Sequence, residues 1–164
     1  MIGQAIVYET LAALGIPFDY IEHPGAPTVE IAKRYWANLD STHCKNLFFR
    51  NHKGDRHYLV VFDCDHDMAI HDLEKRLKQG KLSFASEARM ERYLGTRPGS
   101  VSPFGLLNDA GRHVHLFLDE RLLEADKLSF HPNDNRASLA IPTAGFLRYL
   151  DHVGNSREWI TLYE

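Results

Sequence analysis

Lys45 occupies the chemically least comfortable setting in the chain. It stands in the run Cys44-Lys45-Asn46-Leu47-Phe48-Phe49-Arg50, rich in residues that favour strands. With a period of two, Lys45 shares one face with Leu47 and Phe49, while Cys44, Asn46, Phe48 and Arg50 share the other. An ammonium in line with two large apolar side chains either finds an acid or lines a polar pocket. If three residues form the loop of the hairpin that follows, the acid is Asp63, directly across the ladder, and the two make an ordinary cross-strand ion pair. Position alone leaves both readings open.

Two loops add candidates. Gly99-Ser100-Val101-Ser102-Pro103 is a Gly-x-x-x-Pro turn, able to aim backbone N–H and C=O groups into a cavity because no ladder consumes them. It could equally be a plain connection, and neither serine lies in a Gly-x-Ser-x-Gly elbow. Phe130-His131-Pro132-Asn133-Asp134-Asn135 offers His131 and asparagines that could hydrogen-bond a ligand, and has the composition of a hairpin turn. Asp63-Cys64-Asp65-His66-Asp67 with His71, and the pair His113 and His115 on one strand face, could attract a metal. They lack the helical His-x-x-x-His or Cys-x-x-Cys spacing of zinc sites, so no metal or cofactor is expected. Asp67 would also suit the start of the next helix.

The elements that must hold these residues follow from periodicity. Ile6, Val7, Leu11 and Leu14 share a helical face ended by Gly15 and Pro17. Phe18 to Glu22 predicts a strand, and Thr28 an N-cap for a helix from Val29 to about Ala37. His43 to Asn51 and Arg56 to Asp63 form a hairpin around Lys53-Gly54-Asp55. Ile70 to Lys78 and Ser86 to Leu94 have helical spacing, with a short strand at Leu82 to Ala85 between them. Gly95 to Gly105, with its glycines and prolines, predicts a shaped loop without regular structure. Val114 to Asp119, Lys127 to Phe130 and Ala137 to Ile141 predict strands, and Thr143 caps a final helix ending near Val153-Gly154. Without strict βαβ alternation, this is an α+β fold: a mixed, largely antiparallel sheet surrounded by helices.

At 164 residues, 44% hydrophobic and 25% charged, the chain fits one domain spanning residues 1–164. Its net charge of −3 excludes a broadly basic nucleic-acid coat. Yet from Leu73 to Arg97 seven basic residues face only three acidic ones, a local excess that could hold RNA phosphates or simply solvate two helices. Two cysteines make no disulfide framework and suit a reducing compartment. No basic, apolar leader and no run of about 20 apolar residues occurs, so a cytoplasmic protein without a membrane partner is expected.

Three segments in this order, Cys44-Lys45-Asn46-Leu47-Phe48, Gly99-Ser100-Val101-Ser102-Pro103 and Phe130-His131-Pro132 with Asn135, resemble the prolyl-tRNA synthetase-associated (YbaK-like) editing domains. Gly15-Ile16-Pro17-Phe18 and His23-Pro24 fit that family's opening, and the likeness runs from about Ile6 to Val153. Within the family the chain is most similar to free-standing alanyl-tRNA(Pro) deacylases, hydrolases that act in trans without a metal. The resemblance implies catalytic roles for Lys45 and the loop Gly99, Ser100, Val101, Ser102 and Pro103. The loop's main chain would bind the ammonium and position water. Asn46 would hold the terminal adenosine, and His131 and Asn135 would border the substrate. Lys45 would be a fixed cation on phosphate or carbonyl. Lys75, Arg76, Lys78, Lys81 and Arg97 are the candidate tRNA contacts. The implied partner is mischarged proline tRNA, with transient contact to prolyl-tRNA synthetase and no DNA. Alternatives are a cysteinyl-tRNA(Pro) deacylase, a non-catalytic tRNA- or synthetase-binding module, and a metal hydrolase built on His66/His71 or His113/His115.

Overall fold

The computed structural model describes residues 1–25 and 29–163. Its strands are β1 (Asp19–Glu22), β2 (Thr42–Asn51), β3 (His57–Asp63), β4 (Leu82–Phe84), β5 (His115–Asp119), β6 (Lys127–Phe130), β7 (Ala137–Pro142) and β8 (Arg157–Ile160). Its helices are α1 (Ala5–Ala13), α2 (Val29–Trp36), α3 (Ile70–Leu77), α4 (Glu87–Leu94) and α5 (Thr143–Val153). The strands run β1-β7-β6-β2-β3-β5-β8, with β4 added to β2. The β1–β7, β2–β3, β2–β4 and β6–β7 pairs are antiparallel, and β2–β6, β3–β5 and β5–β8 are parallel. This is the expected mixed, mostly antiparallel sheet with helices around it. No helix among the described residues is long and apolar enough to cross a membrane.

Strand alternation divides the core between the two faces of the sheet. Phe48, Leu59, Val61, Leu116, Leu118, Leu128 and Phe130 point one way, where α1 (Val7, Leu11) and α5 (Phe146, Tyr149, Leu150) cover them. Phe49, Tyr58, Val60, Phe62 and Phe117 point the other way, against Leu73 and Leu77 of α3. A face buried on each side requires the near-continuous apolar run Tyr58 to Phe62, because side chains of both parities need cover.

Four local expectations are corrected. The hairpin pairs Cys44 with Asp63 and Lys45 with Phe62, one residue out of the register that would set Lys45 opposite Asp63. The cause is the turn: Asn51 Oδ1 accepts from the N–H groups of Gly54, Asp55 and Arg56, closing a loop one residue longer than expected. The Gly95 to Gly105 stretch is not irregular throughout. A 3-10 helix begins at Pro103 and runs to Asn108, its first turn capped by Ser102 Oγ accepting from Phe104 N–H at 2.9 Å. Thr143 is not the cap of α5: Pro142 holds that position, and Thr143 Oγ1 donates to the Ala125 carbonyl. Asp67 does not cap α3 either, where Ala69 precedes the first turn. The Thr28 cap lies outside the described residues. β8 has no counterpart in the sequence reading.

Candidate functional site

A break in the sheet creates the site. On the side of β2 away from β3, β6 pairs only with Thr42 and His43, and β4 only with Phe49 to Asn51. Phe48 still receives a hydrogen bond from Ala85 N–H at 2.9 Å. Residues 44 to 47 therefore have no strand neighbour on that side, and a cavity of about 290 Å³ opens there. Its walls are Cys44, Asn46, Leu47 and Phe48 of β2, Phe84, Met90, the segment Pro98, Gly99 and Val101, and His131. Most of this lining is apolar. Asn46 is the polar exception on β2: its Nδ2 donates to the Cys44 carbonyl at 3.3 Å, while its buried Oδ1 has no partner. An unpaired acceptor at a cavity wall is costly unless something that binds there satisfies it.

The two flanking loops are tied together. Ser100 Oγ accepts from Asn135 N–H at 3.0 Å, and Ser102 Oγ lies 3.5 Å from Asn133 Oδ1. Beneath them, the buried Tyr149 hydroxyl donates to the Pro103 carbonyl at 2.7 Å. Gly99 adopts φ +85°, and a Cβ there would stand 3.2 Å from Asn135 Nδ2, so the turn suits glycine on both counts. Ser102 is fully buried and its oxygen is engaged, which removes it as a nucleophile. Gly99 and Val101 face the cavity. Ser100 and Asn135, with Arg97, line a neighbouring one of about 480 Å³. Pro103 lies under the loop as the first residue of the 3-10 helix.

His131 Nδ1 lies 2.8 Å from the Ala137 carbonyl oxygen, so that nitrogen carries the proton and Nε2 is left as an acceptor. Burial lowers its pKa, and the neutral ring is the favoured form. Behind it, His23 stands edge-on at 5.6 Å and accepts from or donates to Ser138 Oγ at 2.8 Å, where the Trp36 indole also donates.

Lys45 stands on the opposite face of β2 from Asn46, the face it shares with Leu47. Its Nζ is 2.9 Å from Asp67 Oδ1, and the Asp67 side chain is 95% exposed. Lys45 is thus at the rim of the break, one residue from Asn46, and outside the wall itself. The five candidate tRNA contacts do not form one patch. Lys75 and Arg76 share a cavity wall with Asp67 and Tyr163, Lys78 ends α3 and Lys81 precedes β4 on that side, while Arg97 belongs to the other cavity.

The metal candidates are dispersed. His66 stacks on Tyr163 at 3.7 Å, and His71 lies 3.7 Å from Glu74. His113 precedes β5 and is 2.8 Å from His57 Nδ1, whereas His115 bonds Ser156 and Glu158. Among the described residues only Asp63, Cys64 and Asp65 bring three ligand atoms together, without a histidine. Phe84 and Met90 are wall residues that motif reading missed, because apolar side chains in a strand and a helix carry the signal of ordinary core, and Pro98 was missed because it stands just before the Gly-x-x-x-Pro turn.

Residues 23–149 match the aminoacyl-tRNA editing domain family. The chain is 38% identical over 160 residues to the prolyl-tRNA editing protein ProX of Acetoanaerobium sticklandii, covering 97% of this chain and 96% of that protein. It is 34% identical to the bovine prolyl-tRNA synthetase associated domain-containing protein 1, over 93% of this chain and 91% of the relative. A solved structure described as a candidate trans-editing enzyme for prolyl tRNA synthetase superposes with a TM-score of 0.66 at 19% identity, over 96% of this chain and 98% of that one, and shows the shared fold. The chain belongs to the aminoacyl-tRNA editing domain family, hydrolases that deacylate mischarged tRNA.

Proposed function

We propose that this chain edits proline tRNA in trans by hydrolysing alanyl-tRNA(Pro). The observation that carries the reading is the small cavity in which Asn46, the Gly99–Val101 backbone and neutral His131 converge. ProX, a prolyl-tRNA editing protein similar over nearly the whole chain, supports the tRNA. Alanine is smaller than proline, so a close-fitting cavity rejects the correct product by overlap rather than by a weak difference in attraction.

An aminoacyl ester is already activated, so the chemistry needs a placed water and a stabilised oxyanion more than a protein nucleophile. Water adds to the carbonyl carbon, its proton passes by way of the ribose 2′-hydroxyl to the departing 3′-oxygen, and free alanine and intact tRNA result. The loop's main chain holds the ammonium and the water, and Asn46 Oδ1 accepts from the terminal adenosine. Lys45 exchanges its exposed partner Asp67 for substrate phosphate, a weak contact given up for a stronger one.

Initial rates with alanyl-, cysteinyl- and prolyl-tRNA(Pro) test this. Alanyl-tRNA is expected to react fastest, and Lys45→Ala to lower kcat/KM by about a hundredfold. Unchanged activity in Lys45→Ala would remove the role of that lysine. Preference for cysteinyl-tRNA would move the substrate to cysteine. Salt-sensitive RNA binding without hydrolysis would make the chain a binding module.

A further inference from the structure

Phe84 is a large apolar side chain left 59% exposed at the mouth of the cavity. Its strand neighbours are placed as alternation demands: Leu82, on the same face, is 2% exposed and packs into the core under α3. Phe84 pairs directly across from Phe49, and the two rings lie 4.7 Å apart at 35°. Phe49 packs against the ring while more than half of the residue stays accessible, so Phe84 presents an exposed π-surface at the cavity mouth.

Its position relative to Lys45 gives that surface a use. Lys45, Leu47 and Phe49 share one face of β2, and Phe84 stands beside Phe49 on that face. Lys45 and Phe84 therefore flank the two ends of the break, four strand positions or about 13 Å apart along the backbone. Asn46, of the opposite parity, does not share that face, but it lines the same cavity as Phe84 and its Oδ1 is unpaired. A cation at one end of the break, an aromatic surface at the other and an acceptor on the cavity wall suit the phosphate, base and sugar edge of one nucleotide.

We propose that Phe84 is the stacking platform for the base of the 3′-terminal adenosine. The aminoacyl group enters the cavity between β4 and β6, and the base stays outside on the ring. This rests on the editing function above and adds to it the site of the base. Stacking tolerates any base, so Phe84 supplies affinity and orientation, while the invariant CCA end of tRNA makes base reading unnecessary.

The test uses the full chain, an alanylated acceptor-stem RNA of proline tRNA, and the same RNA lacking only its terminal base. Phe84→Leu keeps apolar cover over Phe49 and is checked by thermal melting; Phe84→Trp preserves the π-surface. With the intact RNA, Phe84→Leu is expected to raise KM about tenfold to a hundredfold with kcat within about twofold, and Phe84→Trp to restore it. With the baseless RNA, Leu and Phe variants are expected to be equal, which a purely structural role would not produce. As a binding readout independent of hydrolysis, an uncharged stem ending in 2-aminopurine is expected to lose fluorescence on wild type and Phe84→Trp, and to stay bright on Phe84→Leu. Equal KM and equal quenching in Phe84→Leu, with wild-type hydrolysis intact, would overturn the stacking role alone. A wild-type chain that neither hydrolyses nor binds these RNAs would overturn the editing reading and the stacking role together.

Discussion

Of two hollows that histidine helps to line among the described residues, the larger one leaves less hydrogen-bonding capacity unused. The hollow beside β3 and β5, about 510 Å³, is walled by Asp55, Arg56, His57, His113, His115 and Glu158, among others. Its polar groups satisfy one another. Arg89 donates to His57 Nε2 at 2.9 Å, which leaves His57 Nδ1–H to donate to His113 at 2.8 Å, while His115 is held by Ser156 and Glu158. The break at β2 is smaller and mostly apolar, yet it keeps the buried, unpaired Asn46 Oδ1 and one free nitrogen of His131. Hydrogen-bonding capacity left over among apolar walls marks a binding site better than the number of titratable side chains does.

Exchanging polarity in each hollow should break or uphold this contrast. Asn46→Leu should lower kcat/KM for alanyl-tRNA(Pro) by about a hundredfold, whereas His113→Ala should change it by less than about twofold. Similar losses from both would erase the distinction. Gly99→Ala, which forces a side chain into left-handed backbone beside Asn135, should cost about tenfold in activity while Gly111→Ala, with open space around it, does not.

Acid acts on both hollows in the same direction. Burial pushes His43 and His57 down to about 4, and lowers His131 as well. Unfolded, these rings titrate near 6.5. Between about pH 6.5 and 4 the unfolded chain takes up protons that the folded chain refuses, so stability is complete above that window and declines as pH falls through it. Melting temperatures should drop on acidification across this range, with a shallower slope in His57→Gln. If the slope is unchanged, His57 is not among the groups responsible. The smallest effect belongs to the rim: Asp67→Asn should leave folding intact and shift KM by less than about threefold, because it only frees a cation already accessible to phosphate.

Much of this was legible in the chain because periodicity reports burial. Leu11, Phe48, Val61 and Leu139 sit inside for reasons visible in their spacing. β8 was missed because Arg157–Ile160 is short and half polar, and it becomes a strand only by pairing with β5, forty residues away. The hairpin register escaped because Asn51 builds the turn with its side chain. At the site, Asn46, Gly99, Val101 and His131 do meet, whereas Asn135 and Arg97 face the adjoining hollow. The side of β2 on which Lys45 stands followed from alternation, but its partner Asp67 is set by the path of the turn after β3, which no periodicity encodes.

The four unpaired positions of β2 amount to a strand edge enclosed within a sheet. Edges normally invite other chains to add a strand and aggregate. This one is bounded by β6 at one end and β4 at the other, too short to template a partner and too enclosed for one to approach. The same fencing that denies a partner strand its template keeps the cavity open beside residues 44 to 47, so one interruption of pairing both shields the edge and makes the hollow.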